Sequence, residues 1–298
     1  MKQHPHALTG IALVLIAVAC FGGLDTTTKQ VILTVPLLLA LWFRYLFQAL
    51  ITTAIMWPQR GRALLRTAHP RFQVLRGVLL VVSSLLAFAS LRYLPVGEFT
   101  ALLMVTPIVI TLLAAHRLRE RVSPLRWALV IGGFVGVMLI VRPSGTNALG
   151  WAVLLPLGLV MANTGFQILT SKLARAEDPI VTHFYTGWIG ALLGSIALPF
   201  AWQQVPDWHW WAAMAFMGLM GTVGHYQLIL AYQRVPASVL TPYLYAQIAF
   251  AMLGGYLVFA HVPDAWALIG IALVAFCGAV GAWLAVRESR LSMEPVEH

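Results

Sequence analysis

Stretches of about 20 mostly apolar residues recur along nearly the whole chain. Each is long enough to cross a bilayer core about 30 Å thick as an α-helix. The sequence is 60% hydrophobic and only 10% charged, whereas an ordinary soluble domain is about 25% charged. The pattern predicts an all-α integral membrane protein with ten transmembrane helices. Numbered as spans 1 to 10, they cover residues 8–27, 35–57, 73–91, 96–116, 124–142, 149–172, 180–202, 209–232, 237–259 and 265–286.

The net charge of +9 is distributed unevenly between the two ends of these spans. With the N-terminus inside, fifteen basic residues lie on the cytoplasmic side, three lie outside, and Arg44 lies within span 2. This is a strong positive-inside bias over short loops. It predicts that both termini are cytoplasmic, and it explains the basic charge without a nucleic-acid partner. The cytoplasmic residues are Lys2, Arg60, Arg62, Arg66, Arg71, Arg76, Arg117, Arg119, Arg121, Arg126, Lys172, Arg175, Arg234, Arg287 and Arg290, and the outer ones are Lys29, Arg92 and Arg142.

The chain also repeats itself, because residues 77–113 align without a gap with residues 218–254. Such a period is far longer than a solenoid unit. Each copy contains five spans, an odd number, so the second copy enters the membrane from the opposite side. The pattern predicts an N-terminal five-helix repeat (1–145) and an inverted C-terminal repeat (146–287) around a central cavity. Residues 288–298 form a polar tail, expected to be cytoplasmic and disordered. Identical aligned pairs are Gly77/Gly218, Pro95/Pro236, Thr100/Thr241, Leu103/Leu244 and Leu112/Leu253.

Short motifs in both copies resemble those of the EamA family of the drug/metabolite transporter superfamily. The first copy has Ser90–Pro95, Leu103–Pro107 and Leu118–Ser123, and the second has Ala231–Pro236 and Tyr243–Gln247. Arg44 also matches a position where the family commonly carries arginine. The chain departs from the pattern at His261–Asp264, where an acidic helix-end residue is expected. Within the family it looks most similar to bacterial YddG-type exporters of aromatic amino acids.

This resemblance implies a multi-pass permease of the bacterial inner (plasma) membrane that exports small metabolites by alternating access. The implied substrates are amino acids, including aromatic ones, which are amphipathic zwitterions, and other small metabolites or drugs are the alternative. Spans 1, 3, 4, 6, 8 and 9 would enclose the cavity. Facilitated diffusion and proton antiport both remain open. Because each half contains all five helix types, a monomer is a sufficient functional unit.

Polar side chains within the spans indicate which faces line this cavity, because such groups are costly in hydrocarbon. For Asn163, Gln167, His225 and Gln247 together we favour a cavity, since four such groups lie at similar depths in the membrane. A lone serine or threonine is explained as well by a bond to a carbonyl of its own helix. The expected substrate-cavity residues are Ser83, Ser84, Thr100, Met104, Asn163, Gln167, Thr222, His225, Tyr226, Tyr243, Tyr245 and Gln247.

Three charged residues are expected to serve structure or coupling: Asp25, Arg44 and Glu98. Asp25 and Glu98 lie toward the outer boundary of the membrane. Arg44 lies about 12 Å into span 2, and Asp25 is its nearest plausible partner by depth, which predicts an Asp25–Arg44 contact. Glu98 lies in the first turn of span 4, where the helix dipole favours a carboxylate. His225 is the best candidate for a proton relay, because it lies deep in its span, and we expect no buried acid near it. Spans 8 and 9 carry no cation before Arg234, which argues against phosphate esters as substrates.

Other functional classes find little support in the sequence. His116 and Glu120 lie one helical turn apart and are the best candidates for an intramembrane enzyme. Neighbouring arginines indicate that the pair belongs to a solvated basic helix end. No metal motif, phosphate-binding loop or nucleophile elbow occurs. We therefore expect a transporter that is not an enzyme, needs no cofactor, and has the lipid bilayer and a small-molecule substrate as partners.

Overall fold

The computed structural model describes residues 7–106, 108–109, 124–141, 154–235, 240 and 243–291. Within these ranges it contains ten α-helices, two short 3-10 helices and no strand. Helices suit hydrocarbon because they satisfy their backbone hydrogen bonds internally. The α-helices are α1 (Ala7–Val31), α2 (Leu37–Arg60), α3 (Pro70–Leu91), α4 (Val96–Leu103), α5 (Pro124–Val141), α6 (Leu154–Ala176), α7 (Pro179–Ala197), α8 (Trp208–Arg234), α9 (Ala246–Phe259) and α10 (Ala265–Leu291).

Each of these helices overlaps one predicted span, which confirms an all-helical membrane protein at this level. By length and composition, six stretches of the described chain could cross a membrane. Ten crossings and an inverted arrangement stay predictions. Residues 288–291 of the predicted tail continue α10, whereas His116, Glu120 and residues 292–298 of that tail lie outside the described residues. The six are Leu8–Val31, Leu37–Leu65, Pro70–Leu91, Leu154–Ala176, Pro179–Phe200 and Trp208–Arg234, and the shorter apolar helices are Trp127–Ile140, Ala246–Phe259 and Ala265–Gly281.

The outer surface is apolar while several polar side chains are buried. Ile196, Phe200 and Leu257 are exposed, whereas Arg44 and Arg76 are almost fully buried. A surface of this kind is stable against lipid tails and would be unstable in water. The arrangement agrees with a protein that lies within a bilayer.

The closest helix packing joins the first five helices to the last five. Helix α1 packs along α8, α3 along α6, α2 along α7, and α5 along α10. Helix α2 also contacts α8, and α3 contacts α7. Exchanging α1–α5 with α6–α10 in order leaves this set of pairings unchanged: α1–α8 exchanges with α3–α6, α2–α8 exchanges with α3–α7, and α2–α7 and α5–α10 map onto themselves. The two predicted repeats are therefore interleaved, and the central space has walls from both.

Glycines permit backbones to approach closely at two of these pairings. A Cβ built at Gly187 of α7 would lie 2.9 Å from the Ala49 backbone nitrogen of α2. A Cβ built at Gly136 of α5 would lie 2.9 Å from the Gly270 carbonyl oxygen of α10. Backbone atoms cannot move aside as a flexible side chain can. Small residues at these crossings thus set the distance between helices.

Polar contacts join the connection between α2 and α3 to the connection between α6 and α7. Arg60 forms an ion pair with Asp178, whose Oδ1 also accepts a hydrogen bond from the Ile180 N–H (2.7 Å) and caps α7. Glu177 Oε1 accepts hydrogen bonds from the Thr67 hydroxyl and from the backbone N–H of His69, both at 2.8 Å. These contacts bridge the two predicted repeats at the face that the charge pattern predicts to be cytoplasmic.

The Glu177 carboxylate is stabilised in its charged form by these donors. Burial alone would raise its pKa, but the hydrogen bonds from Thr67 and His69, together with the charge of the His69 ring, hold the pKa below its usual value. A carboxylate with a lowered folded-state pKa stabilises the fold above its unfolded-state pKa. That stabilisation is lost as the pH falls through the folded-state pKa.

We expect Gly187→Ala to destabilise the protein by about 1–3 kcal/mol, because the methyl group would press against the α2 backbone. Thermal unfolding of the purified protein in detergent measures the change. Gly255→Ala is the matched control, since its Cβ would meet its nearest neighbour, Val96, at 4.0 Å. Its Tm should stay the same or rise slightly, because alanine favours helix. Equal Tm values for the two variants would contradict the proposed contact.

We expect Glu177→Gln to lower the Tm at pH 7 and to have a smaller effect at pH 4. At pH 4, close to the usual glutamate pKa of about 4.3, the unfolded state takes up protons and part of the stabilisation from the lowered folded-state pKa is lost. Asp207→Asn, in the exposed connection before α8, serves as the control and should show no comparable difference. A Glu177→Gln effect that is the same at both pH values would show that charge is not what these contacts stabilise.

Candidate functional site

A cavity of about 100 Å³ lies among α1, α2, α3, α4, α6, α8 and α9. Both predicted repeats contribute to its walls, as the interleaved packing requires. Most of the lining is apolar, and three phenylalanines belong to it. The apolar residues are Phe21, Leu24, Leu80, Ala87, Phe88, Leu103, Met104, Leu159, Phe166, Leu228 and Leu244.

Nine of the fifteen predicted site residues line this cavity. The sequence expectation placed spans 1, 3, 4, 6, 8 and 9 around it, and the structure adds α2 through Arg44. The roles of these residues in substrate binding stay predictions. The nine are Asp25, Arg44, Ser83, Ser84, Met104, Asn163, Gln167, His225 and Gln247.

Three of the other predicted residues have partners away from the cavity. The Thr222 hydroxyl donates to the Gly218 carbonyl of its own helix at 2.7 Å. The Tyr226 ring lies 5.6 Å from the His183 ring, centroid to centroid. Glu98 Oε1 lies 3.2 Å from His261 Nε2, in a contact that joins α4 to the segment after α9. These contacts connect parts of the helix bundle.

The remaining three predicted residues, all in the regions of α4 and α9, do not line the cavity either. Thr100 is fully buried, and Tyr243 is half-buried. The Tyr245 hydroxyl is directed toward α10, where a Cβ at Gly278 would overlap it. Tyr243 and Tyr245 precede α9, which begins at Ala246, so they do not continue the helical face on which Gln247 lies toward the cavity.

Asp25 and Arg44 face the same cavity but form no ion pair with each other. Asp25 Oδ2 accepts a hydrogen bond from Gln247 Nε2 at 3.1 Å. Arg44 Nη2 donates to Ser84 Oγ at 2.6 Å, and its guanidinium lies 4.1 Å from the centroid of the Tyr45 ring. The predicted Asp25–Arg44 contact is therefore wrong, because each side chain has a neutral partner on a nearer helix.

The burial of Asp25 also corrects the sequence analysis, which expected no buried acid near His225. Asp25 is 9% exposed and lines the cavity together with His225. The His225 ring packs against Phe21 at 4.9 Å and Phe166 at 5.8 Å between centroids. Its Nδ1 is buried and has no hydrogen-bond partner in the described part of the structure. A carboxylate and an imidazole thus share one small space.

The two amides of α6 extend the polar part of the lining. Asn163 Nδ2 lies 3.4 Å from Thr106 Oγ1 of the segment after α4. Gln167 Oε1 accepts a hydrogen bond from the Tyr232 hydroxyl of α8 at 3.3 Å. Both bonds are long, so each amide keeps most of its capacity for a ligand.

Arg76 is a buried cation that the sequence analysis assigned to a cytoplasmic segment. It is 1% exposed, and its Nε donates to Thr170 Oγ1 at 2.8 Å. Its Nη1 donates to Thr186 Oγ1 and to the Thr182 carbonyl. The assignment is wrong because Arg76 lies inside α3, with α6 and α7 packed around it. A signal was present, since the apolar run 73–91 already includes this residue.

Curated relatives align with nearly the whole chain. A riboflavin transporter of Rhizobium johnstonii is 30% identical, with 91% of this chain and 90% of the relative covered. An S-adenosylmethionine uptake transporter of Rickettsia felis is 24% identical over 90% of each chain. The pseudopaline exporter CntI of Pseudomonas aeruginosa is 25% identical, covering 89% of this chain and 93% of that one. None of these three names is that of an aromatic amino acid exporter, so the narrower resemblance is not supported by them.

One crystal structure superposes on this structure with a TM-score of 0.68 and 18% sequence identity. The superposition covers 94% of this chain and 99% of the other chain. This likeness supports the fold alone. The model of the EamA-like transporter family matches residues 8–142 and again residues 150–284. These two matches cover most of the chain. The three relatives named above are transporters of small metabolites. The chain therefore belongs to the EamA-like transporter family and is a multi-pass membrane transporter of small metabolites.

Proposed function

We propose that the protein moves amphipathic zwitterions that carry a flat ring across the bacterial inner membrane by alternating access. Amino acids, including aromatic ones, are members of this class. The observation that carries the proposal is the presence of Asp25 and Arg44 in one cavity without an ion pair between them. Opposite charges that do not neutralise each other are suited to the ammonium and carboxylate groups of a zwitterion.

Aromatic walls supply the second half of the recognition. Phe21, Phe88 and Phe166 all line the cavity. Rings prefer offset-stacked or edge-to-face contacts with other rings, and a mostly apolar pocket with a few polar groups is typical of sites for small molecules. The side chain of a substrate would lie among these rings while its head contacts the charged groups.

Two of the relatives are named for substrates that contain a ring, S-adenosylmethionine and riboflavin. These two substrates differ in the polar group attached to the ring. S-adenosylmethionine carries both a purine ring and an amino-acid head, which fits the opposite charges of the cavity. Riboflavin has a flat ring system with an uncharged hydroxylated chain. Riboflavin transport is the second candidate, and the 30% identity to the Rhizobium johnstonii transporter favours it.

A cavity of about 100 Å³ is smaller than the roughly 300–1,000 Å³ of typical ligand sites. The helices around it must therefore separate to admit a substrate of either kind. The two family matches and the exchangeable helix pairings support a movement of two similar halves around a shared site. Export is the proposed direction, and facilitated diffusion and proton antiport are the two proposed modes.

Counterflow in proteoliposomes tests the substrate class. We expect the full-length protein to accelerate exchange of labelled tryptophan, phenylalanine, tyrosine or S-adenosylmethionine. Arg44→Gln should lower this exchange by about tenfold or more, because a charge-assisted hydrogen bond to the carboxylate is lost. Arg66→Gln is the matched control, since Arg66 is exposed in the connection before α3.

The alternatives give different outcomes in the same vesicles. Exchange of riboflavin without exchange of any zwitterion would replace the first candidate with the second. Chemical conversion of a labelled compound would indicate an enzyme. Loading the vesicles on either side measures direction, and an imposed pH gradient separates proton antiport from facilitated diffusion.

A further inference from the structure

Among the residues that the structure describes, two guanidinium groups lie buried, and only one of them belongs to the cavity. Arg44 is 2% exposed and Arg76 is 1% exposed. In the described part of the structure, neither forms an ion pair with a carboxylate. A buried charge without a counter-ion is costly, and ionisable groups within a membrane commonly mark the pathway of a substrate. Arg76 therefore requires an explanation beyond packing.

Arg76 has hydrogen-bonding capacity left over. Its bonds to Thr170, Thr182 and Thr186 use Nε and Nη1. Among the described residues, Nη2 makes no hydrogen bond. A guanidinium presents five N–H donors in a planar fork that suits a carboxylate. One edge of the Arg76 fork is thus held by threonines, while Nη2 remains available.

Phe166 contacts Arg76 and also lines the cavity. The Arg76 guanidinium carbon lies 4.8 Å from the centroid of the Phe166 ring, and Phe166 lines the cavity. Along α3, Arg76 precedes Leu80, the first cavity residue of this helix, by four residues, or about 6 Å. The start of α3 is predicted to face the cytoplasm. Arg76 thus lies between the cavity and the predicted cytoplasmic side.

Polar atoms without partners lie on residues linked to Arg76 through Thr182 and the adjacent His183. Gln73 Oε1, Gln48 Oε1 and His183 Nε2 are buried and have no hydrogen-bond partner among the described residues. Gln73 donates to the Thr182 hydroxyl (3.1 Å), and Gln48 donates to the carbonyl of His183 (3.3 Å). Unpaired amide oxygens can accept hydrogen bonds from an ammonium group. This cluster offers both kinds of partner that a zwitterion needs.

We propose that Arg76 forms a second binding station, on the predicted cytoplasmic side of the cavity, for the carboxylate of a transported zwitterion. The carboxylate passes from Arg44 to Arg76 as Phe166 moves aside, and the free amide oxygens of Gln48 and Gln73 receive the ammonium group. The inference rests on the zwitterion substrate of the proposed function. It adds a second, sequential site on the route through the protein.

A purely structural role for Arg76 makes a different prediction. The Arg76 guanidinium contacts α6 through Thr170 and α7 through Thr182 and Thr186. In a purely structural role, it would hold α3, α6 and α7 together and would not bind the substrate. Lysine keeps the positive charge but cannot reproduce a planar fork. A structural role therefore predicts that Arg76→Lys fails as badly as Arg76→Gln. A carboxylate station predicts that lysine retains most of the transport.

The test compares tryptophan exchange in proteoliposomes with tryptophan binding in detergent, using the full-length protein. Arg76→Gln should slow exchange by about tenfold, since a charge-assisted hydrogen bond is lost. Arg76→Lys should stay within about threefold of wild type, because the charge remains. Arg44→Gln should weaken binding as well as exchange. Arg71→Gln is the matched control, as an exposed arginine on the same helix.

Each result decides between the alternatives. Equal losses in Arg76→Lys and Arg76→Gln, or wild-type exchange in Arg76→Gln, would overturn the station while leaving the proposed function intact. If Arg76→Gln does not fold, Arg76→Lys alone decides, and exchange below the threefold limit overturns the station. A wild-type protein that exchanges riboflavin but not tryptophan or S-adenosylmethionine would overturn the zwitterion function, and with it the station.

Discussion

Lipid tails cannot form hydrogen bonds, and the whole structure depends on this constraint. Backbone groups are satisfied within helices, and apolar side chains such as Phe200 and Leu257 face outward. Polar side chains are gathered inside, where they can bond to one another or face the cavity. The cavity lining follows from the same rule, because Asp25 and Arg44 are tolerated only where Gln247 and Ser84 can contact them.

The arrangement of charge inside the protein is also tied to how the helices are paired. Arg44 of α2 bonds to α3, Asp25 of α1 bonds to α9, and Arg76 of α3 bonds to α6 and α7. Every one of these bonds joins two different helices, so relative movement of those helices in the proposed alternating access would break it. Transport would therefore exchange these partners for substrate groups, which is a way to couple binding to movement.

The helices could be predicted from the sequence because each apolar run is long enough to cross a bilayer. Several cavity residues could be predicted because a polar side chain within such a run is costly unless it faces the protein interior. Asn163, Gln167, His225 and Gln247 all line the cavity for this reason. The sequence pattern within one span does not determine where the helix begins or which face it turns toward its neighbours. Tyr245 therefore faces α10 instead of the cavity, and the partners of Asp25 and Arg44 could not be foreseen. Arg76 was misplaced because a basic residue near a predicted helix end resembles a loop cation.

The interleaved pairing has a consequence for how the chain is made. Synthesis proceeds from the N-terminus, so α1 to α5 reach the membrane before the helices they pack against. Thr170, Thr182 and Thr186, the partners of Arg76, all belong to the later part of the chain. Until that part arrives, Arg76 would lie unpaired in lipid or keep the start of α3 near the headgroups. The packing of α3 against α6 and α7 would thus be a late step in assembly. A truncated chain that ends after α5 would expose polar helix faces, which the cell's quality control of membrane proteins could recognise.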